Sequence, residues 1–262
     1  MKWEELTGGT FEQAVARARG VCVIPIGVVE YHGPHLPLGQ DMLEVHARAC
    51  AAAEKEPVIV YPAYHFGVNV WTKDHPGGIV IKDRLMFELL ENICEEVSRN
   101  GLKKILLLSG HGGNPFFLSL FTELALDKSH DYTLYHVEGY AIDPELSRRV
   151  LETKEHGHAC ECETSVALHL HPQLVRKDLL DPEKCWTYQG GLSHLEGVET
   201  PADWSAKYPE LCGGDPRPAT AEKGKALFED RVQKTAALFR QIKEDQAAPA
   251  VYAEFNSRIY RK

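Results

Sequence analysis

Apolar and polar positions fall into a regular alternation over the first half of the chain. Residues 21–28 (VCVIPIGV) form a short apolar run rich in β-branched side chains and predict a buried strand. From Asp41 to about Glu54, Leu43, Ala47 and Cys50 recur at helical spacing. Residues 58–61 predict a second strand, and residues 62–78 a loop of glycine, proline and aromatic residues. Asp83 can cap a helix that runs to Arg99, and Asn100-Gly101 supplies its stop. Residues 105–109 predict a third strand, followed by the glycine-rich turn 110–114 and a helix with Pro115 in its first turn, running to about Asp127. Residues 133–137 predict a fourth strand. Further on, a helix is expected around residues 163–170, then a loop-rich stretch over 181–218. A long amphipathic helix closes the pattern, from Ala219 to about Gln246, with Leu227, Phe228, Val232, Leu238, Phe239 and Ile242 on one face.

Strands separated by amphipathic helices predict an α/β fold with a mainly parallel sheet covered on both faces, a three-layer α/β/α arrangement. No repeat, low-complexity segment or linker divides the chain, so residues 1–262 read as one domain. Ligands in such sheets gather beyond the carboxyl ends of the strands.

Charge narrows the functional classes. Acidic residues outnumber basic ones, 38 to 29, for a net charge of −9, which argues against nucleic acid as a partner. Mean hydropathy is −0.30 and no apolar run reaches membrane-spanning length, so no membrane association is expected. No apolar segment follows Lys2, so a signal peptide is not expected and the cytoplasm is the expected compartment. The seven cysteines include no Cys-x-x-Cys pair, which suits reduced thiols. The 13 histidines are the remaining feature, and their placement carries the chemistry.

Three constellations stand out. The first, EYHGPHLPLGQD over residues 30–41, offers Glu30 and His32 on one side of an extending strand, and Asp41 after a Gly/Pro bend. Carboxylate and imidazole are ordinary ligands of divalent ions, while Asp41 could equally cap a helix. The second, SGHGGN over 109–114, places His111 just past a strand and lets glycine amides approach a ligand closely. It lacks a phosphate-loop pattern. The third, HGHACECETS over 156–165, holds His158 and Glu161 as candidate ligands or proton carriers, with Glu163 at a helix head. Together these residues are the mixed nitrogen and oxygen set that two divalent ions share through one carboxylate.

In residues 24–41 (IPIGVVEYHGPHLPLGQD), 109–114 and 158–165, the chain resembles the creatininase (creatinine amidohydrolase) family, over roughly residues 1–180. The resemblance implies an α/β/α fold, a dinuclear centre of zinc, manganese or iron, and a metal-held hydroxide that attacks the carbonyl of a small cyclic or formyl amide. It implies Glu30 and His111 as ligands of one ion, His32 of the other, Asp41 as the bridge and His158 as the proton donor to the leaving nitrogen. Gly113 stands where the family's creatinine-hydrolysing enzyme has a glutamate ligand, and Glu161, ahead of Glu163, is expected to replace it. Gly112, Gly113 and Asn114 are expected to hold the oxyanion. His75, with Lys73, is expected to meet the substrate from a loop that also resembles the family's. No Trp lies between Trp71 and Trp186, where that enzyme encloses creatinine, so creatinine is not the expected substrate. Tyr140, Trp186, His194 and Trp204 are further pocket candidates. A homo-oligomer, in this family a hexamer, is expected. The alternatives are a hydrolase of a cyclic ketone or lactone derived from an inositol-type polyol, trimming of a small peptide, and, from another class, a non-catalytic metal-binding protein.

Overall fold

A computed structural model describes residues 1–138, 143–181 and 190–260; Tyr140 and Trp186 lie outside the described residues. The chain begins with helix α1 (Gly8–Arg17) and enters the sheet through β1 (Val21–Ile26), buried along its whole length. Helix α2 (Gln40–Lys55) and the short β2 (Ile59–Val60) follow, then α3 (Asp83–Arg99) and β3 (Lys104–Ser109). Helix α4 (Asn114–Leu124) leads to β4 (Thr133–Glu138). The second half is helical: α5 (Pro144–Val150), α6 (Glu161–Leu170), the short α7 (Asp203–Lys207), α8 (Ala221–Glu244) and α9 (Ala247–Ile259).

The strands pair in parallel in the order β2-β1-β3-β4, with Val23 opposite both Val60 and Leu106, and Leu106 opposite Tyr135. Side chains alternate across the sheet, which divides its apolar residues between two cores. Val21, Val23, Leu106 and Leu108 pack on one face against Val45 and Ala49 of α2 and Leu227, Val232 and Phe239 of α8. Cys22, Ile24, Ile105 and Leu107 pack on the other against Ala14, Leu90, Cys94 and Leu118, from α1, α3 and α4. The result is the three-layer α/β/α fold expected from the alternation.

Two departures from the sequence pattern shape the site. The first strand stops at Ile26, earlier than expected, because Gly27 runs against the start of α2: a Cβ there would lie 2.3 Å from the Met42 backbone nitrogen. Glu30 and His32 therefore sit in an irregular segment beyond the strand, and strand alternation does not set their directions. Helix α6 begins at Glu161, two residues before the expected Glu163, which changes what each of its glutamates faces.

Candidate metal centre

The carboxyl ends of β1 and β3 release the two segments that carry the first two constellations. Asp41 enters from the first turn of α2, and the segment ahead of α6 brings His158. Glu30, His32, Asp41, His111 and His158 converge there, each at most 5% exposed. His32 Nε2 lies 3.0 Å from Asp41 Oδ1, and His111 Nδ1 lies 2.6 Å from Asp41 Oδ2. One Glu30 oxygen is 3.3 Å from His111 Nδ1 and 3.7 Å from His158 Nδ1. The His158 ring stacks on that of His32 at 4.1 Å.

Each imidazole is anchored through its other nitrogen. His32 Nδ1 donates to the Glu30 carbonyl at 3.2 Å, His111 Nε2 to the Val68 carbonyl at 2.9 Å, and His158 Nε2 to the Tyr31 carbonyl at 2.8 Å. A carbonyl only accepts, so each bond fixes the tautomer and turns the remaining ring nitrogen toward the carboxylates. Metal-binding histidines need this arrangement.

Glu30 tests whether a metal suits the site. Both of its carboxylate oxygens are buried with no hydrogen-bond donor among the described residues. Such a carboxylate is costly unless a cation meets it. Three sets of groups, Glu30-Asp41-His111, His32-Asp41-Glu163 and Glu30-His32-His158, each bring three potential ligand atoms within 4.8 Å of one another, and Asp41 belongs to the first two. The residues fit a divalent ion.

Without a metal ion, proton affinities show the strain. Burial pushes Glu30 up to about 7, against the pull of His111. At His32 burial disfavours the charged ring, but Asp41 outweighs it and raises the imidazole to about 10; at His111 Glu30 and Asp41 do the same, to about 9. Burial also opposes charge on Asp41, yet the two imidazoles hold it far below the usual carboxylate range. His158 goes the other way: burial, with His32 beside it, lowers it to about 3.

Glu161 does not join this cluster. Its carboxylate pairs with Lys223 Nζ at 2.6 Å and accepts from the backbone of Glu152 and Thr153 and from the Thr153 hydroxyl. Burial opposes its charge, but these donors hold it below its ordinary value. Two residues on, Glu163 stands with His32 and Asp41, one of its oxygens accepting from Ala159 N at 2.6 Å. Buried His35 bonds the Thr164 hydroxyl at 2.7 Å, which ties the first constellation to this part of α6.

The remaining candidates divide. Gly112 and Gly113 line a cavity of about 520 Å³ over the cluster, at the N-terminus of α4. Asn114 is committed elsewhere: its side chain accepts from Val68 N at 3.1 Å and donates to the Ile26 carbonyl at 3.3 Å, which pins the loop to the sheet rather than leaving an amide for substrate. His75 lies outside the cavity lining, bonded to Asp74 at 2.9 Å with its ring 4.7 Å from Tyr31. Lys73 and His194 are exposed and do not line the cavity either. His156 lines it, and so does Trp204. Four lining residues, Trp71, Val68, Phe116 and Phe117, escaped sequence reasoning. Trp71, from the same loop as His75, stacks over His111 at 5.7 Å; Phe116 reads as an ordinary apolar residue of α4. A lone tryptophan in a loop beside two favoured polar residues was the available signal for the first.

The creatininase family model, described as creatinine amidohydrolase, matches residues 4–239. The chain is 25% identical over 256 residues to a creatinine amidohydrolase of Pseudomonas putida, covering 90% of this chain and 95% of that one. It is 27% identical over 256 residues to a 3-dehydro-scyllo-inosose hydrolase of Thermotoga maritima, covering 85% and 77%. A mutant creatininase of Zn–Zn type superposes with a TM-score of 0.78 at 23% identity, over 93% of this chain and 98% of that one, a likeness of fold. With a family match spanning nearly the whole sequence and the family's fold, the chain belongs to the creatininase family and is a hydrolase.

Proposed function

We propose that the chain is a two-metal hydrolase of small cyclic or formyl amides. The observation that carries this reading is the pair of ligand sets meeting at Asp41. Glu30, Asp41 and His111 would hold one ion, and His32, Asp41 and Glu163 the other. Imidazole and carboxylate suit zinc, manganese or iron. When bound, such a pair supplies an activated water and polarises a carbonyl.

The chain's own groups do the rest. His158 is neutral at physiological pH, with Nε2–H committed to the Tyr31 carbonyl and Nδ1 turned to the cavity floor. Its Nδ1 can take up a proton during attack and return it to the leaving nitrogen. Gly112 and Gly113 line the cavity at the positive end of α4, which would stabilise negative charge developing on the carbonyl oxygen. Trp71 covers His111 and keeps bulk water from that side of the floor.

The test is metal analysis of the purified protein together with turnover of a panel of formyl amides, cyclic amides, lactones and cyclic ketones. Two equivalents of metal per chain and hydrolysis of amides are expected. Turnover confined to cyclic ketones would replace this reading with that of a polyol-ketone hydrolase, and metal binding without any turnover would favour a binding protein.

A further inference from the structure

The walls of the cavity differ sharply from its floor. Ionisable groups gather below, at Glu30, Asp41, His111, His158 and Glu163, whereas the other described lining residues are mainly apolar, with Trp71, Phe116, Phe117 and Trp204 the large side chains and His156 the one ionisable group among them. Trp71 lies nearly parallel to the His111 ring, and Trp204 stands edge-on to His158 at 5.8 Å. The two indoles are 6.0 Å apart and inclined at 46°. At the rim Phe116 is 82% exposed. Its neighbour Phe117 also lines the cavity but is largely buried against the core, so of the two α4 rings Phe116 is the one presented to solvent beside the cavity mouth.

This division constrains the substrate. A hydroxyl placed against an apolar wall without a partner costs about 1–3 kcal/mol, so a polyhydroxylated ring gains little here. A cavity of about 520 Å³ is also far larger than a formamide or a bare five-membered lactam needs. Flat apolar groups do suit it, since aromatic rings gain from tilted or edge contact with indoles beyond the area they bury. Resting on the amide-hydrolase reading above, we propose that the substrate is an amide carrying an aryl or similar planar apolar group. Its carbonyl reaches the floor, its ring lies against Trp71 and Trp204, and Phe116 covers the outer edge. The three aromatic residues are then determinants of specificity, and small polar amides are poor substrates.

Two measurements test this. The first compares kcat/KM of the metal-loaded enzyme for formanilide and for N-methylformamide, which differ in the group on nitrogen. A preference for formanilide of at least about tenfold is expected from burial of one ring. Phe116→Ser, at a position too exposed to matter for folding, and Trp204→Leu should each shrink that ratio, mainly through KM. The second measurement titrates phenylurea and methylurea calorimetrically into the protein with and without metal. Phenylurea should bind at least about tenfold tighter, with a negative heat-capacity change, in both forms. If both formamides are hydrolysed with equal kcat/KM, the aromatic-substrate proposal is overturned and the amidohydrolase reading stands. If no amide is turned over, the amidohydrolase reading falls, and the phenylurea-to-methylurea ratio still decides whether the walls select a ring. Equal binding of the two ureas rejects the proposal in either case.

Discussion

Glu161 and Glu163 differ by two positions on one helix, and a helix advances about 100° per residue, so they face nearly opposite ways. Glu161 looks toward α8 and Lys223, and Glu163 toward His32 and Asp41. The two variants should therefore separate cleanly. Glu163→Gln is expected to lose one of two bound metal ions and to cut kcat by at least about 100-fold, with little loss of stability. Glu161→Gln is expected to keep both metals and lose about 1–3 kcal/mol of stability, because it weakens a buried, multiply bonded carboxylate. Metal content and urea unfolding of each variant check both halves; metal loss from the Glu161 variant alone would reverse the assignment. His158→Ala is a third case. It belongs to neither of the two Asp41 ligand sets, although its ring lies against His32 and Glu30, so metal content should hold while kcat falls by about 10²–10⁴-fold. A near-normal rate in that variant would remove His158 from proton transfer.

Helix α6 holds its orientation by packing that a sequence does not display. Gly224 of α8 passes so close to α6 that a Cβ would lie 1.8 Å from the Ser165 carbonyl oxygen. Alanine would favour the helix by about 1 kcal/mol. The overlap is with backbone, which has no rotamer to change, and overpacking costs about 1–3 kcal/mol or more. Gly224→Ala should therefore be destabilising overall by about 2 kcal/mol in denaturant unfolding, and should weaken metal retention by displacing the segment that carries His158 and Glu163; a more stable variant would show the contact to be loose. The same contact explains how much could be read in advance. Four strands and helices α2, α3, α4 and α8 were legible because each buries an apolar stripe with a clear period. Helix α9 buries no residue and carries Pro249, so its pattern is faint. The start of α6 was legible only to within two residues, and that offset decides which glutamate meets Asp41. His32, His111 and Asp41 were readable because chain direction alone carries them to the ends of parallel strands. Trp71 and Phe116 were not, since a cavity wall is defined by what lies opposite it.

For the whole molecule, the proposed metal centre means that protons and metal ions would compete for one buried cluster in a chain of net charge −9. His32, at about 10, and His111, at about 9, both stand above the ordinary 6.5 of histidine in the metal-free fold, and Glu30, at about 7, stands above its ordinary 4.5. A group whose affinity for protons is raised by folding stabilises the native state while protonated. The histidines contribute fully below pH 6.5 and lose that contribution as pH rises through 9 and 10; Glu30 changes in the same direction at lower pH. Asp41 has the opposite sign, being held below its ordinary 3.8, and its contribution is lost only in acid. The chelator-treated protein should therefore lose thermal stability between pH 6.5 and 9.5, by roughly 5–10 °C in Tm. Divalent ions replace those protons and require the deprotonated ligands, so the metal-loaded protein should not show this decline. The Tm gain produced by metal should accordingly grow with pH across the window. Thermal scans with chelator and with added zinc, at half-unit pH steps, measure both curves. If they run parallel, the buried imidazoles are not the ligands, because displacement of their protons is what makes the curves diverge.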